Sequence, residues 1–104
     1  MRQTPPYFPF YVDDFLASPK VLLMTPAARG AYIMLLCRAW QGEPPATLPN
    51  DDAELAAFAG MALADWQSVR PVVLRCFTLR NERLLNVRLE SEYLKFAEKR
   101  EKAS

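Results

Sequence analysis

Two aspartate pairs, two cysteines and a run of arginines are the side chains of this 104-residue chain with the means to do chemistry. Asp13 with Asp14, and Asp51 with Asp52, are of the type used for acid–base catalysis. Neighbours on a helix project about 100° apart, so the two carboxylates of a pair diverge. Asp51 and Asp52 suit the positive end of a helix dipole better. The chain has no histidine, which removes His-based triads and His metal sites. Cys37 and Cys76 have no metal-ligand spacing and read as buried free thiols. Gly30, Gly42 and Gly60 are too dispersed to cradle a phosphate. No catalytic residue, metal site or cofactor is expected, and the chain does not read as an enzyme.

The arginines are more informative. Residues 64–88 carry Arg70, Arg75, Arg80, Arg83 and Arg88 against Asp65 and Glu82, a net +3. Residues 41–63 carry Glu43, Asp51, Asp52 and Glu54 with no base, a net −4. Arginine is the preferred partner of phosphate and of guanine edges. An ordinary solvated face with salt bridges to the acidic segment fits the same spacing. The overall charge of +1 is small beside that of strongly basic DNA binders, and it favours a protein-interaction module over DNA contact.

These residues must be positioned by one small domain, since the length suits a single core and 51% of the chain is hydrophobic. No run approaches the ~18 apolar residues of a membrane span. Residues 1–10 lack a signal-peptide apolar block, so a cytoplasmic location follows by default. Residues 1–12 read as an aromatic and proline-rich arm packed on the domain, with Pro5, Pro6 and Pro9 forbidding helix. Its rings suit either a plug for the core, the expected role, or a stacking platform for single strands. Residues 13–18 suit a short helical turn with Phe15 and Leu16 inward and Pro19 as its stop.

Thr25-Pro26 starts a helix running to Trp40. Its inward stripe is Ala28, Tyr32, Leu35, Leu36 and Ala39. Gly30 inside it costs about 1 kcal/mol relative to Ala, which close packing against the arm would justify. Residues 42–49 are a loop with an extended stretch at Thr47-Leu48. Asn50 offers the cap of the next helix, which buries Leu55, Phe58 and Ala59 and ends at Gly60. A further helix begins at Leu63 or Ala64, with Trp66, Val69, Val73 and Phe77 towards the core. Pro71 either kinks it or splits it in two. Residues 77–79 and 84–87 read as strands around a polar tip at 80–83. Leu85, Val87 and Leu89 share one face at period two. A last helix carries Leu89, Tyr93 and Phe96, with residues 97–104 a charged, fraying end.

A short helix, a tight turn, a second helix and then a hairpin make the order of a winged helix-turn-helix. The expected fold class is therefore mainly α (α+β): a winged helix with a short β-hairpin wing and a C-terminal helix.

The residues also resemble a known family. Tyr7-Phe8-Pro9-Phe10-Tyr11 followed by Asp14-Phe15-Leu16 is similar to the opening of the YdaU-like family of phage and prophage proteins. Arg29-Gly30-Ala31-Tyr32 with Leu35, Leu36 and Trp40 resembles its next block, and Leu55-Ala56 and Trp66 follow in order. Arg70-Pro71, Leu74, Phe77 and the segment Leu84-Leu85-Asn86-Val87-Arg88-Leu89 complete a likeness that spans nearly the whole chain. The resemblance implies a winged-helix-like domain from the front of phage replication-type proteins, which often continue into a basic linker and a second domain. It implies DNA binding in replication initiation, or replisome assembly, and supplies no catalytic residue.

Gln67 and Arg75 are the candidates for a DNA groove, with Ser68 as a phosphate contact, because helix geometry puts them opposite Trp66 and Val73. Arg80, Asn81 and Arg83 are the candidates at the wing tip. Arg70 lies nearer the core edge and suits a pairing with an acid, and Arg29 suits a salt bridge to Asp13 or Asp14. Double-stranded DNA and replication proteins are the expected partners, with no membrane contact. The alternative is a protein-interaction module that self-associates through the arm or the C-terminal helix.

Overall fold

The computed structural model describes residues 4–103. Thr25 caps the central helix, α3 (Pro26–Trp40), by accepting from the Ala28 amide at 3.1 Å, and Pro26 takes the first helical position. Ala28, Leu35, Leu36 and Ala39 are buried along it and Tyr32 is half-buried, as the stripe requires. The arm docks at the far end of this helix. Thr4 Oγ1 donates to the Trp40 carbonyl at 3.1 Å, Trp40 Nε1 donates to the Pro5 carbonyl at 2.9 Å, and the Phe8 ring lies 5.6 Å from the Trp40 ring. The arm's first three residues lie outside the described residues. Gly30 is exposed, and a Cβ there would meet nothing within 4 Å, so the expected close packing over it is absent.

Two short helices precede α3: α1 (Val12–Ala17) and α2 (Pro19–Leu22). Pro19 stops the first and opens the second, because Ser18 accepts from the Val21 amide and Pro19 fits the first turn. Leu16, expected inward, is exposed, and only Phe15 turns partly in.

After α3 come β1 (Thr47–Pro49), α4 (Asp52–Ala59) and α5 (Leu63–Val73). Asp51, not Asn50, caps α4, its carboxylate accepting from the Glu54 amide at 2.9 Å. Gly60 closes α4 in the left-handed conformation (φ 72°). Its amide donates to Ala57 and the Met61 amide to Ala56, the paired bonds of a Schellman ending. Helix α5 continues through Pro71 and tightens into a 3₁₀ turn at Leu74–Cys76. Pro71 and Gln67 both lie on the exposed side, so water can take the carbonyl that the missing N–H leaves without a partner.

The hairpin is β2 (Thr78–Arg80) and β3 (Arg83–Leu85), and the chain ends in α6 (Val87–Ala103). β3 is central, with β1 and β2 antiparallel on either side; Leu48 opposes Leu84, and Leu79 opposes Leu84 from the other strand. Each strand is one residue off its expected start, because the tip is a two-residue turn. Asn81 (φ 53°) and Glu82 (φ 65°) are both left-handed, as the right-handed twist of a tight hairpin demands. Val87 is not in the sheet: it opens α6 and is exposed, away from Leu85 and Leu89. Asn86 causes the change. Its side chain accepts from the Leu89 amide at 2.9 Å and donates to the Cys76 carbonyl at 3.1 Å, capping α6 and tying it to the end of α5. α6 runs on as helix through the charged segment, where Lys102 pairs with Glu98 at 2.8 Å.

The fold is mainly helical, with a small three-stranded antiparallel sheet and a C-terminal helix. Trp66, Leu35, Leu48, Leu55 and Val73 are fully buried, so α3, α4, α5 and β1 meet in one core.

Candidate nucleic-acid interface

The six residues singled out for DNA contact lie in three places. Gln67 and Ser68 are exposed on α5, Arg80, Asn81 and Arg83 form the hairpin tip, and Arg75 sits on the 3₁₀ turn rather than on a helix face.

On α5, Ser68 Oγ is turned back to its own helix, donating to the Asp65 carbonyl at 2.8 Å. Gln67 borders a shallow depression that also holds Asn50, Asp51, Asp52 and Arg70. Arg70 Nε donates to Asp52 Oδ1 at 2.8 Å, and Trp66 Nε1 donates to the same oxygen at 3.0 Å. This is the acid partner that the sequence suggests for Arg70. The Trp66 hydrogen bond holds the Asp52 carboxyl below its ordinary value; it outweighs the opposing effect of burial, and the Arg70 guanidinium adds to the lowering. A carboxyl depressed in the folded state contributes stability above its unfolded pKa, and that contribution disappears as pH falls through the folded value. Unfolding midpoints taken between about pH 5 and pH 2 should therefore drop less steeply in Asp52→Asn than in the wild type. Parallel curves would mean that Asp52 carries none of the acid sensitivity.

The hairpin arginines are engaged within the chain. Arg80 forms an ion pair with Glu90 of α6, and Arg83 Nε donates to Thr47 Oγ1 at 2.9 Å. Asn81 stands exposed at the tip. Arg88 pairs with Asp14 and lies over the Tyr11 ring, 4.6 Å from its centroid. The chain thus spends most of the positive charge of residues 64–88 internally. Arg75 is the exception, with no hydrogen bond or ion pair among the described residues.

Arg75 faces a groove of about 570 Å³ between the arm, α1, α2 and α3 on one side and the hairpin base and α6 on the other. Lys20 and Arg88 also line it, as do the rings of Phe10, Tyr11, Phe15 and Tyr32. Burial pushes the Tyr32 hydroxyl up to about 12 and raises the Cys76 thiol, so both stand neutral in its wall. Sequence reasoning missed the groove, because its lining comes from segments far apart in the chain. The signal nearest to it was the excess of rings in the arm.

Other expectations need correction. Cys37 is exposed rather than buried, and Cys76 is half-buried; both are free. Arg29 pairs with neither Asp13 nor Asp14: its Nε donates to the Val21 carbonyl at 3.3 Å, and Asp14 is taken by Arg88. Among the described residues no group of three His, Cys, Asp or Glu is placed to hold a metal ion, and no helix is long and apolar enough to cross a membrane.

A model of a family described as a protein of unknown function (DUF1376) matches residues 6–93. The chain belongs to that family. The match takes in every element from the arm to the first half of α6, including the groove and the hairpin. No curated protein and no solved structure matches the chain.

Proposed function

We propose that this DUF1376 domain binds double-stranded DNA as a winged helix, with α4 and α5 as the helix-turn-helix pair and β2–β3 as the wing. The observation that carries the reading is topological. Helix, strand, two helices joined by a tight turn, and a hairpin sharing one sheet with the first strand are the parts of that fold, in its order. The tip adds the chemistry: an exposed Asn81 between two arginines, on a tight two-residue turn.

Gln67 supplies hydrogen-bonding groups to base edges, Ser68 supplies its hydroxyl to phosphate by releasing the Asp65 carbonyl, and Arg80 and Arg83 supply charge. The exposed side of α5 offers Asp65, Gln67, Ser68 and Pro71, and its Arg70 is held by Asp52. Affinity therefore rests on the wing. Moving Arg80 from Glu90 to a phosphate costs little, since their ion pair is exposed and screened by solvent. The resemblance to YdaU-like phage and prophage proteins supports a setting in replication initiation.

Anisotropy of a labelled duplex tests this. Two wing contacts should give a slope of log affinity against log salt of about −2, with dissociation constants of roughly 10⁻⁴–10⁻⁶ M. Arg80→Ala with Arg83→Ala should flatten the slope. Unchanged binding by that double variant would sink the reading.

A second reading has its own observation. Tyr7 (70% exposed), Leu16 (68%), Leu22 (61%) and Leu23 (67%) leave the arm, α1 and α2 with uncovered apolar side chains, as a self-association or partner surface would. Light scattering separates the two readings: a concentration-independent monomer argues against the homomeric form.

A further inference from the structure

We propose that the groove beneath the arm is a separate site for a short stretch of single-stranded nucleic acid. This goes beyond the duplex reading and does not depend on it. Three cations from three elements converge there: Lys20 of α2, Arg75 of the 3₁₀ turn and Arg88 of α6. Lys20 and Arg75 donate to no acceptor among the described residues. The two acids of the groove are already engaged. Asp14 holds Arg88, while Glu92 accepts from the Tyr11 hydroxyl at 3.0 Å and from Lys95 at 3.3 Å. The groove therefore keeps uncompensated positive charge, whereas Arg70 and Arg80 elsewhere are paired with acids.

Its walls are aromatic. The Phe10 ring lies 5.1 Å from Phe15, and Phe15 lies 6.1 Å from Tyr32 in nearly parallel planes. Phe10 and Tyr11 each remain 42% exposed although they line the groove. Rings beside cations, with few fixed hydrogen-bonding groups, are how proteins hold single strands without reading their sequence. The volume falls within the about 300–1,000 Å³ of sites that enclose small ligands, enough for a base and its phosphates. An acidic peptide would meet the same cations but would leave the rings without planar partners.

The test is anisotropy of a labelled oligothymidylate with the full chain at low salt. Saturable, salt-weakened binding is expected. Lys20→Glu with Arg75→Glu, both exposed and unpartnered, should weaken it about tenfold or more, and Phe10→Ala about tenfold. Arg80→Ala with Arg83→Ala should leave it within about twofold, because the wing is not part of this site. That pair of variants also separates the site from the duplex reading, since each proposal fails on its own probe and its own substitutions. The proposal is overturned by no binding at a hundred micromolar protein, or by binding that the Lys20 and Arg75 reversals leave intact. It is likewise overturned if a labelled peptide rich in Glu and Tyr binds more tightly than the oligonucleotide.

Discussion

Trp66→Ala should lose about 3–5 kcal/mol of stability, enough to leave so small a domain marginal or unfolded. Trp66 is fully buried on α5, where that helix packs against α3 and α4. Truncation removes the largest fully buried side chain and opens a cavity that α3 and α4 can close only by shifting. It also removes the donor that Asp52 accepts, leaving that carboxylate to Arg70 alone. Trp66→Phe keeps most of the volume and loses the hydrogen bond, so it should lose far less. Urea melts followed by circular dichroism measure both. A loss below about 1 kcal/mol for the alanine variant would mean that the core is not centred on this residue.

Gly42→Ala should be the most damaging small substitution in the chain. A Cβ at this position would stand 2.2 Å from the Thr47 carbonyl oxygen, 3.1 Å from that of Ala39 and 3.3 Å from that of Pro44. All three are backbone atoms, so no side chain can rotate out of the way. The loop is tied down as well. The Gly42 and Ala46 amides both donate to the Ala39 carbonyl, at 2.9 and 2.8 Å, and Thr47 Oγ1 donates to the Pro44 carbonyl at 2.6 Å. Relief requires moving β1 off the end of α3, which disturbs its pairing with β3 and the Thr47 contact to Arg83. Overpacking of this kind costs about 1–3 kcal/mol, and a backbone clash this close belongs at the upper end. Gly30→Ala is the control. With open space around the position, the helix should gain about 1 kcal/mol, raising the melting temperature by roughly 4–8 °C. Equal effects at the two glycines would refute the packing around Gly42.

The elements of this fold were legible where local chemistry decides them. Thr25-Pro26 marks the start of α3 and Gly60 marks the end of α4, because a cap and a left-handed ending each need particular residues. Ser18-Pro19 has the same form as Thr25-Pro26, yet Pro19 reads as a stop when the apolar run after it is short. The alternation of Leu85, Val87 and Leu89 imitates a strand. Asn86 overrides it, since its side chain can cap a helix only if residue 87 leaves the sheet.

The charges were the least legible feature. The partners of Arg70, Arg80 and Arg88 lie 18, 10 and 74 residues away, and no spacing rule reaches that far. A net +3 over residues 64–88 therefore reads as a patch, although the folded chain spends most of it on Asp52, Glu90 and Asp14. The groove escaped for the same reason, as its cations come from residues 20, 75 and 88.

Duplex contact through the wing is tested most directly by titrating unlabelled duplex DNA into the ¹⁵N-labelled chain at low salt and following its amide resonances. The expected result is that the largest shifts fall at residues 80–83, with smaller ones at Gln67 and Ser68, and that the end of α6 stays still. Shifts confined to the arm and α2, or none at saturating DNA, would contradict it.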